Sequence, residues 1–199
     1  MAIRAFVDTS LLMEFKPIRE IDWKDLLQTT DDVVVVIAPI VTKELDAHKH
    51  GKDFGKRDRA RQAIKEISTL KKGKEIDGRP GVTVDYCGPP SRELMGKHDL
   101  EWDAPDDQLL GSMFVMQGKT QDRIAVVADD MNLRQRAEQL GFDAIEPSEK
   151  YERAAEADPR DLTIERQKEE IRQYEDKHAK GPRMNKSITQ CGSPRGRMT

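Results

Sequence analysis

Ile3-Arg4-Ala5-Phe6-Val7-Asp8-Thr9-Ser10 is the stretch on which the fold turns. Its first five residues are apolar except Arg4, as in a strand buried on both faces, and the next three are polar residues that start helices. The pattern returns at Val33-Val34-Val35-Val36-Ile37, followed by Ala38-Pro39, and at Ile124-Ala125-Val126-Val127-Ala128, followed by Asp129-Asp130. Between these runs, Ile40, Val41, Glu44, Leu45 and His48, and then Ala60, Ala63, Ile64, Ile67 and Leu70, have helical spacing. Residues 108–116 and 131–140 each fit about three turns, and Gly141 is a good C-cap. Residues 82–86 and 142–145 read as short strands. Strand and helix in alternation predict an α/β domain with a mainly parallel central sheet flanked by helices, an α/β/α sandwich.

Outside these elements the chain changes character. Gly and Pro residues interrupt residues 71–104, and beyond Pro147 the composition turns polar. Residues 163–180 form a charged helical pattern whose apolar anchors are Ile164, Ile171 and Tyr174, and residues 183–199 are basic, apolar-poor and expected to be disordered. The predicted organisation is a domain over 1–147, a charged helical appendage over 148–182 and a tail over 183–199. The 34 basic and 37 acidic residues nearly cancel, leaving a net charge of −3, so any surface for nucleic acid is local. Cys87 and Cys191 lie far apart with no metal-ligand spacing, which argues against zinc and against a disulfide framework. No apolar run approaches the ~20 residues of a membrane span and no secretory leader is evident, so a soluble cytoplasmic protein is expected.

Ligands of open α/β sheets bind beyond the carboxyl ends of the strands, where strand order switches. Asp8 follows the first strand, Asp129 and Asp130 follow the third, Asp106 and Asp107 open a helix after Pro105, and Glu44 lies one turn into the helix after the second strand. If those strands are neighbours, the carboxylates converge. Uncompensated carboxylates repel one another unless protons or a cation neutralise them, and oxygen-only ligands select hard cations such as Mg²⁺ or Mn²⁺. Phosphoester hydrolysis suits such a site. Asp106, Asp129 and Asp130 can each also serve as helix N-caps, and Glu44 alone would pass for a solvated charge. A dehalogenase-like phosphatase needs a second aspartate two residues after the first, where Ser10 stands, and the order of acids fits a receiver domain poorly.

The segments Phe6-Val7-Asp8-Thr9-Ser10, Thr42-Lys43-Glu44-Leu45-Asp46-Ala47-His48-Lys49, Asp106-Asp107-Gln108-Leu109-Leu110 and Ala128-Asp129-Asp130-Met131-Asn132-Leu133-Arg134 resemble the four acidic motifs of PIN-domain nucleases, in order. The Glu-Leu-Asp stretch at Glu44 and the basic run after it look most like the branch of PhoH-associated PIN domains and nonsense-mediated decay endonucleases. The resemblance spans about residues 1–147. It implies metal-binding and catalytic roles for Asp8, Glu44, Asp107 and Asp130, with Asp106 then a neighbour or cap and Ser10 and Asn132 tuning the acids; the acidic constellation itself also makes Asp106 and Asp129 metal candidates. Ser10 replaces a common Asn and Ala128 a common Thr or Ser, departures expected to alter rate.

The densest basic stretch before the tail, residues 48–61, carries Lys49, Lys52, Lys56, Arg57, Arg59 and Arg61 and is the candidate surface for nucleic-acid phosphates. Phe54 is its one aromatic, so base-specific readout is not expected. The reading is a metal-dependent endoribonuclease acting on single-stranded RNA, with DNA a second candidate substrate. Its alternatives are a catalytically silent scaffold for RNA or protein and a structure-specific DNA nuclease. The charged C-terminal helix is a candidate surface for a homodimer or a protein partner.

Overall fold

A computed structural model describes residues 1–153 and a helix over Pro159–Ala179. Six strands form one sheet: β1 (Ile3–Val7), β2 (Val33–Ile37), β3 (Glu75–Ile76), β4 (Arg79–Tyr86), β5 (Arg123–Val127) and β6 (Asp143–Ile145). Their order is β3-β4-β2-β1-β5-β6, and every pairing is parallel except β3 with β4. β1 is the hinge of the topology. The chain builds outward from it through β2 to β4, then returns to its other side for β5 and β6, so the order reverses between β1 and β5. Ile3 pairs with both Val33 and Arg123, and Val7 with Val127, which brings Asp8 level with the residues after β5.

Helices α1 (Thr9–Glu14), α2 (Trp23–Leu26), α3 (Pro39–Lys49), α4 (Phe54–Thr69), α5 (Arg92–Lys97), α6 (Pro105–Gln117) and α7 (Met131–Gln139) fill the connections. Periodicity alone does not reveal α1, α2 and α5, because four to six residues offer too few apolar repeats. Their caps do: the Asp8, Asp22 and Ser91 side chains accept from the N–H groups of Ser10, Asp25 and Leu94. α4 begins at Phe54, earlier than its apolar repeat, because Asp53 caps a polar first turn by accepting from Lys56 N at 3.0 Å. β4 also starts earlier than expected, running through Pro80 and through Gly81, whose φ of +71° glycine tolerates best.

One core unites the layers. All the residues of β1 but Arg4 are buried, as are Leu11, Trp23, Val35, Val36, Leu45, Leu110 and Leu133. The indole N–H of Trp23 donates to the Ile18 carbonyl at 2.8 Å, so the largest buried side chain leaves no polar group unpaired.

The chain divides into two compact units, Met1–Ala155 and Glu156–Thr199. Composition places the first boundary near 147, but residues 148–153 stay with the first unit. Tyr151 is buried, its carbonyl accepts from Lys16 N at 2.7 Å, and Arg153 N donates to the Glu14 carbonyl at 3.0 Å. In the second unit, α8 (Pro159–Ala179) is a charged helix. The anchors expected of it, Ile164, Ile171 and Tyr174, are exposed rather than buried. The expected disorder of 183–199 falls outside the described residues. Among those residues, no helix is long and apolar enough to cross a membrane.

Candidate active site

Asp8 leaves β1 at the switch point and is tied to the neighbouring strand by its own N–H, which donates to the Val127 carbonyl at 3.3 Å. Its side chain caps α1, accepting from Ser10 N at 3.2 Å and from the Ser10 hydroxyl. Glu44, half-buried in the second turn of α3, accepts from the Thr9 hydroxyl at 2.6 Å. Consecutive residues of α1 thus orient two acids that are 36 positions apart in sequence by 44 − 8. Asp130 caps α7, with Asn132 N donating to it at 2.7 Å; the backbone of Asn132, not its side chain, is the partner. The Arg134 guanidinium holds the loop before this cap through the carbonyls of Ala128 and Asp129, at 2.9 and 2.6 Å.

Asp106, in the first turn of α6, faces this group. Partial desolvation of its carboxyl, followed by the charges of Asp8, Asp130, Glu44 and Asp107, raises its pKa above the ordinary aspartate value, although the residue as a whole is exposed. Residues from four separate segments therefore share one electrostatic environment. Hydroxyl and amide donors orient Asp8, Glu44 and Asp130 but carry no neutralising charge. Among the described residues, no three such side chains are gathered closely enough to hold an ion as they stand. Mutual repulsion keeps carboxylates apart until a cation compensates them.

The structure divides Asp106 and Asp107 differently from the reading by resemblance. Asp107 has no exposed side-chain surface; it accepts from Glu101 N at 2.7 Å and from Arg136 of α7 at 3.1 Å, while the other Arg136 nitrogen pairs with its second oxygen. The charge of Asp107 is thus compensated within the fold, whereas Asp106 makes no ion pair among the described residues. The cap role considered for Asp106 fails, because Ala104 is the N-cap of α6 and no side chain caps it. Asp129 also stands apart, since its carbonyl, not its carboxylate, is engaged by the loop contacts. Thr9, Arg134 and Arg136 were not anticipated. Thr9 is adjacent to Asp8 and could have been suspected; the arginines find their partners only through folding.

The six basic residues of the candidate nucleic-acid surface also separate. Lys49 pairs with Asp46 at 2.6 Å and Arg59 with Glu14 of α1, so both side chains have an acidic partner within the fold. Arg57 lies over the exposed Phe54 ring, 5.0 Å from its centroid. Lys52, Lys56 and Arg61 are exposed and make no ion pair among the described residues.

A six-stranded, mostly parallel sheet flanked by helices, with acids at the ends of neighbouring parallel strands, defines a mixed α/β protein. The family model described as PIN domain matches residues 6–148, and the chain belongs to that family, whose fold is of nuclease type. No curated protein matches the chain. Among solved structures, one described as "A domain of a functionally unknown protein from Methanocaldococcus jannaschii DSM 2661" is similar at 16% identity and a TM-score of 0.43, covering 78% of this chain and 94% of that one. A likeness of that degree says nothing of the site.

Proposed function

We propose that this protein is a metal-dependent endoribonuclease that hydrolyses phosphodiester bonds of single-stranded RNA, using Asp8, Glu44, Asp106 and Asp130 as ligands for Mg²⁺ or Mn²⁺. The observation that carries the reading is the placement of four acids from separate segments around the carboxyl ends of β1, β2 and β5, with Asp8 tied to Val127 of β5, Glu44 held by the residue after Asp8, Asp130 capping the helix after β5, and Asp106 opening α6. The donor set fits a hard cation, being all oxygen and rich in negative charge. When bound, such an ion supplies a lowered pKa for water and stabilisation of the charge that develops on the phosphate. The chain's own residues do the rest. Ser10 and Thr9 hold Asp8 and Glu44 in fixed orientations, the α7 backbone fixes Asp130, and Arg134 anchors the loop that carries it. Lys52, Lys56 and Arg61 supply uncommitted positive charge for phosphates along the strand. The likeness of the Glu44 motif to the branch of PhoH-associated PIN domains and decay endonucleases favours RNA over DNA.

The test is cleavage of labelled single-stranded RNA and DNA by the full chain with Mg²⁺, Mn²⁺ or EDTA, comparing wild type with Asp8→Asn. Loss of one ligand is expected to reduce RNA cleavage by ~10²-fold or more, since charge stabilisation in a preorganised site is worth at least that. Equal traces of activity in both proteins, or activity that persists in EDTA, would replace the enzyme with an RNA-binding or protein-binding scaffold.

A further inference from the structure

We infer that Arg136 is a positioning residue, which by holding Asp107 locks the first turn of α6 to α7 and so sets the spacing of Asp106 and Asp130. The inference rests on the proposed function. Among the described residues, Asp107 is the one charged side chain that is buried, with Thr9 and Ser112 the only other buried polar ones. Successive residues of a helix point ~100° apart, so Asp106 and Asp107 cannot both face the crevice from one turn of α6. Asp106 faces the acids; Asp107 faces Arg136.

α6 packs on α3 and α5, whereas α7 packs on β5 and β6, and the two-nitrogen contact of Arg136 with Asp107 ties these groups directly together. Its two ends are telling. Asp107 adjoins Asp106, and Arg136 belongs to the helix that Asp130 caps. The Glu101 N–H, donated to the same carboxylate, fastens the loop before α6 to this junction. One charge-assisted hydrogen bond to Asp107 Oδ2 and a second close charge contact to Oδ1 anchor the guanidinium at two points, so the tie restrains the separation of the two ligands as well as stabilising the fold.

The test is a Mn²⁺ titration of thermal melting with the full chain, for wild type, Asp106→Asn, Asp107→Asn, Arg136→Gln and Arg136→Lys. Asp106→Asn should lose most of the Mn²⁺-dependent rise in melting temperature. Arg136→Gln and Asp107→Asn should keep the rise but require on the order of ten to a hundredfold more Mn²⁺, as for groups that orient metal ligands without touching the ion. Arg136→Lys, which restores the charge, should recover part of that shift. If Arg136→Gln does not fold, the Asp107→Asn/Arg136→Gln pair, which buries no charge, takes its place. An unchanged Mn²⁺ midpoint in a destabilised variant would reduce the pair to a structural role and overturn the inference. So would an Asp107→Asn protein as unresponsive to Mn²⁺ as Asp106→Asn, since Asp107 would then be a ligand. A wild type indifferent to Mn²⁺ would remove the acidic site itself, and both readings with it.

Discussion

The two halves of the buried ion pair should not be equivalent when deleted. Asp107 has 0% of its side chain exposed and Arg136 has 43%. In Asp107→Asn the amide oxygen can still accept from Glu101 N, and the freed guanidinium can turn toward water. The variant forfeits one charge-assisted interaction, about 1.5–3 kcal/mol. Arg136→Gln strands a carboxylate out of water with a single backbone donor, and breaking a buried pair from that side costs about 3–5 kcal/mol. For a chain of this size each kcal/mol moves the melting temperature by about 2–4 °C, which puts the losses at roughly 3–12 °C and 6–20 °C. The Asp107→Asn/Arg136→Gln double variant should lie near Asp107→Asn, not at the sum, because the two sites share one interaction. Urea unfolding at pH 7 followed by circular dichroism measures all three. Equal losses from the two single changes, or a strictly additive double variant, would refute the claim that the carboxylate is buried and dependent on Arg136.

Three further outcomes follow from the charges. Asp106 has a pKa raised by partial desolvation and by its acidic neighbours, so its folded form binds a proton more tightly than its unfolded form. Without metal, its contribution to stability falls as pH rises above the ordinary aspartate range and is most adverse once it is ionised. Asp106→Asn should therefore melt higher than wild type at pH 7 in EDTA, with the gap closing as pH falls toward that range; a gap that widens on acidification contradicts the clustering. On the basic stretch, neutralising Lys52, Lys56 and Arg61 together should flatten the log–log dependence of RNA affinity on salt by ~0.7 for each phosphate that these side chains no longer neutralise, with melting little changed. Arg59→Ala should instead lower the melting temperature, because Arg59 holds Glu14. A salt slope untouched by the triple change would move the RNA path elsewhere.

Much of this was legible before folding. The apolar runs at Ile3, Val33 and Ile124 announced β1, β2 and β5, since strands buried on both faces need unbroken apolar sequence. β3 and α5 were hidden in the Gly- and Pro-rich 71–104, because they are too short to show a period. Residues 148–153, beyond the expected boundary near 147, pack against the first unit through one buried Tyr151 and two backbone hydrogen bonds, contacts that composition does not register.

The acidic site divides in the same way. That Asp8, Glu44 and Asp130 stand at strand ends or early in the following helices is local information, carried by apolar runs and the polar residues that stop them. Which of Asp106 and Asp107 faces the crevice is not local. Both open α6, both are aspartates, and only the ~100° step between successive helix residues separates their directions. The choice is made by Arg136, 29 positions beyond Asp107, which reaches it only after β5 and α7 have come to rest beside α6. Of Lys49, Lys52, Lys56, Arg57, Arg59 and Arg61, likewise, it was the arrival of Glu14 from α1 that withdrew Arg59. Periodicity and hydrophobicity act between near neighbours and can be read along the chain; the pairing of charges depends on which segments meet, and that is settled only by the tertiary fold.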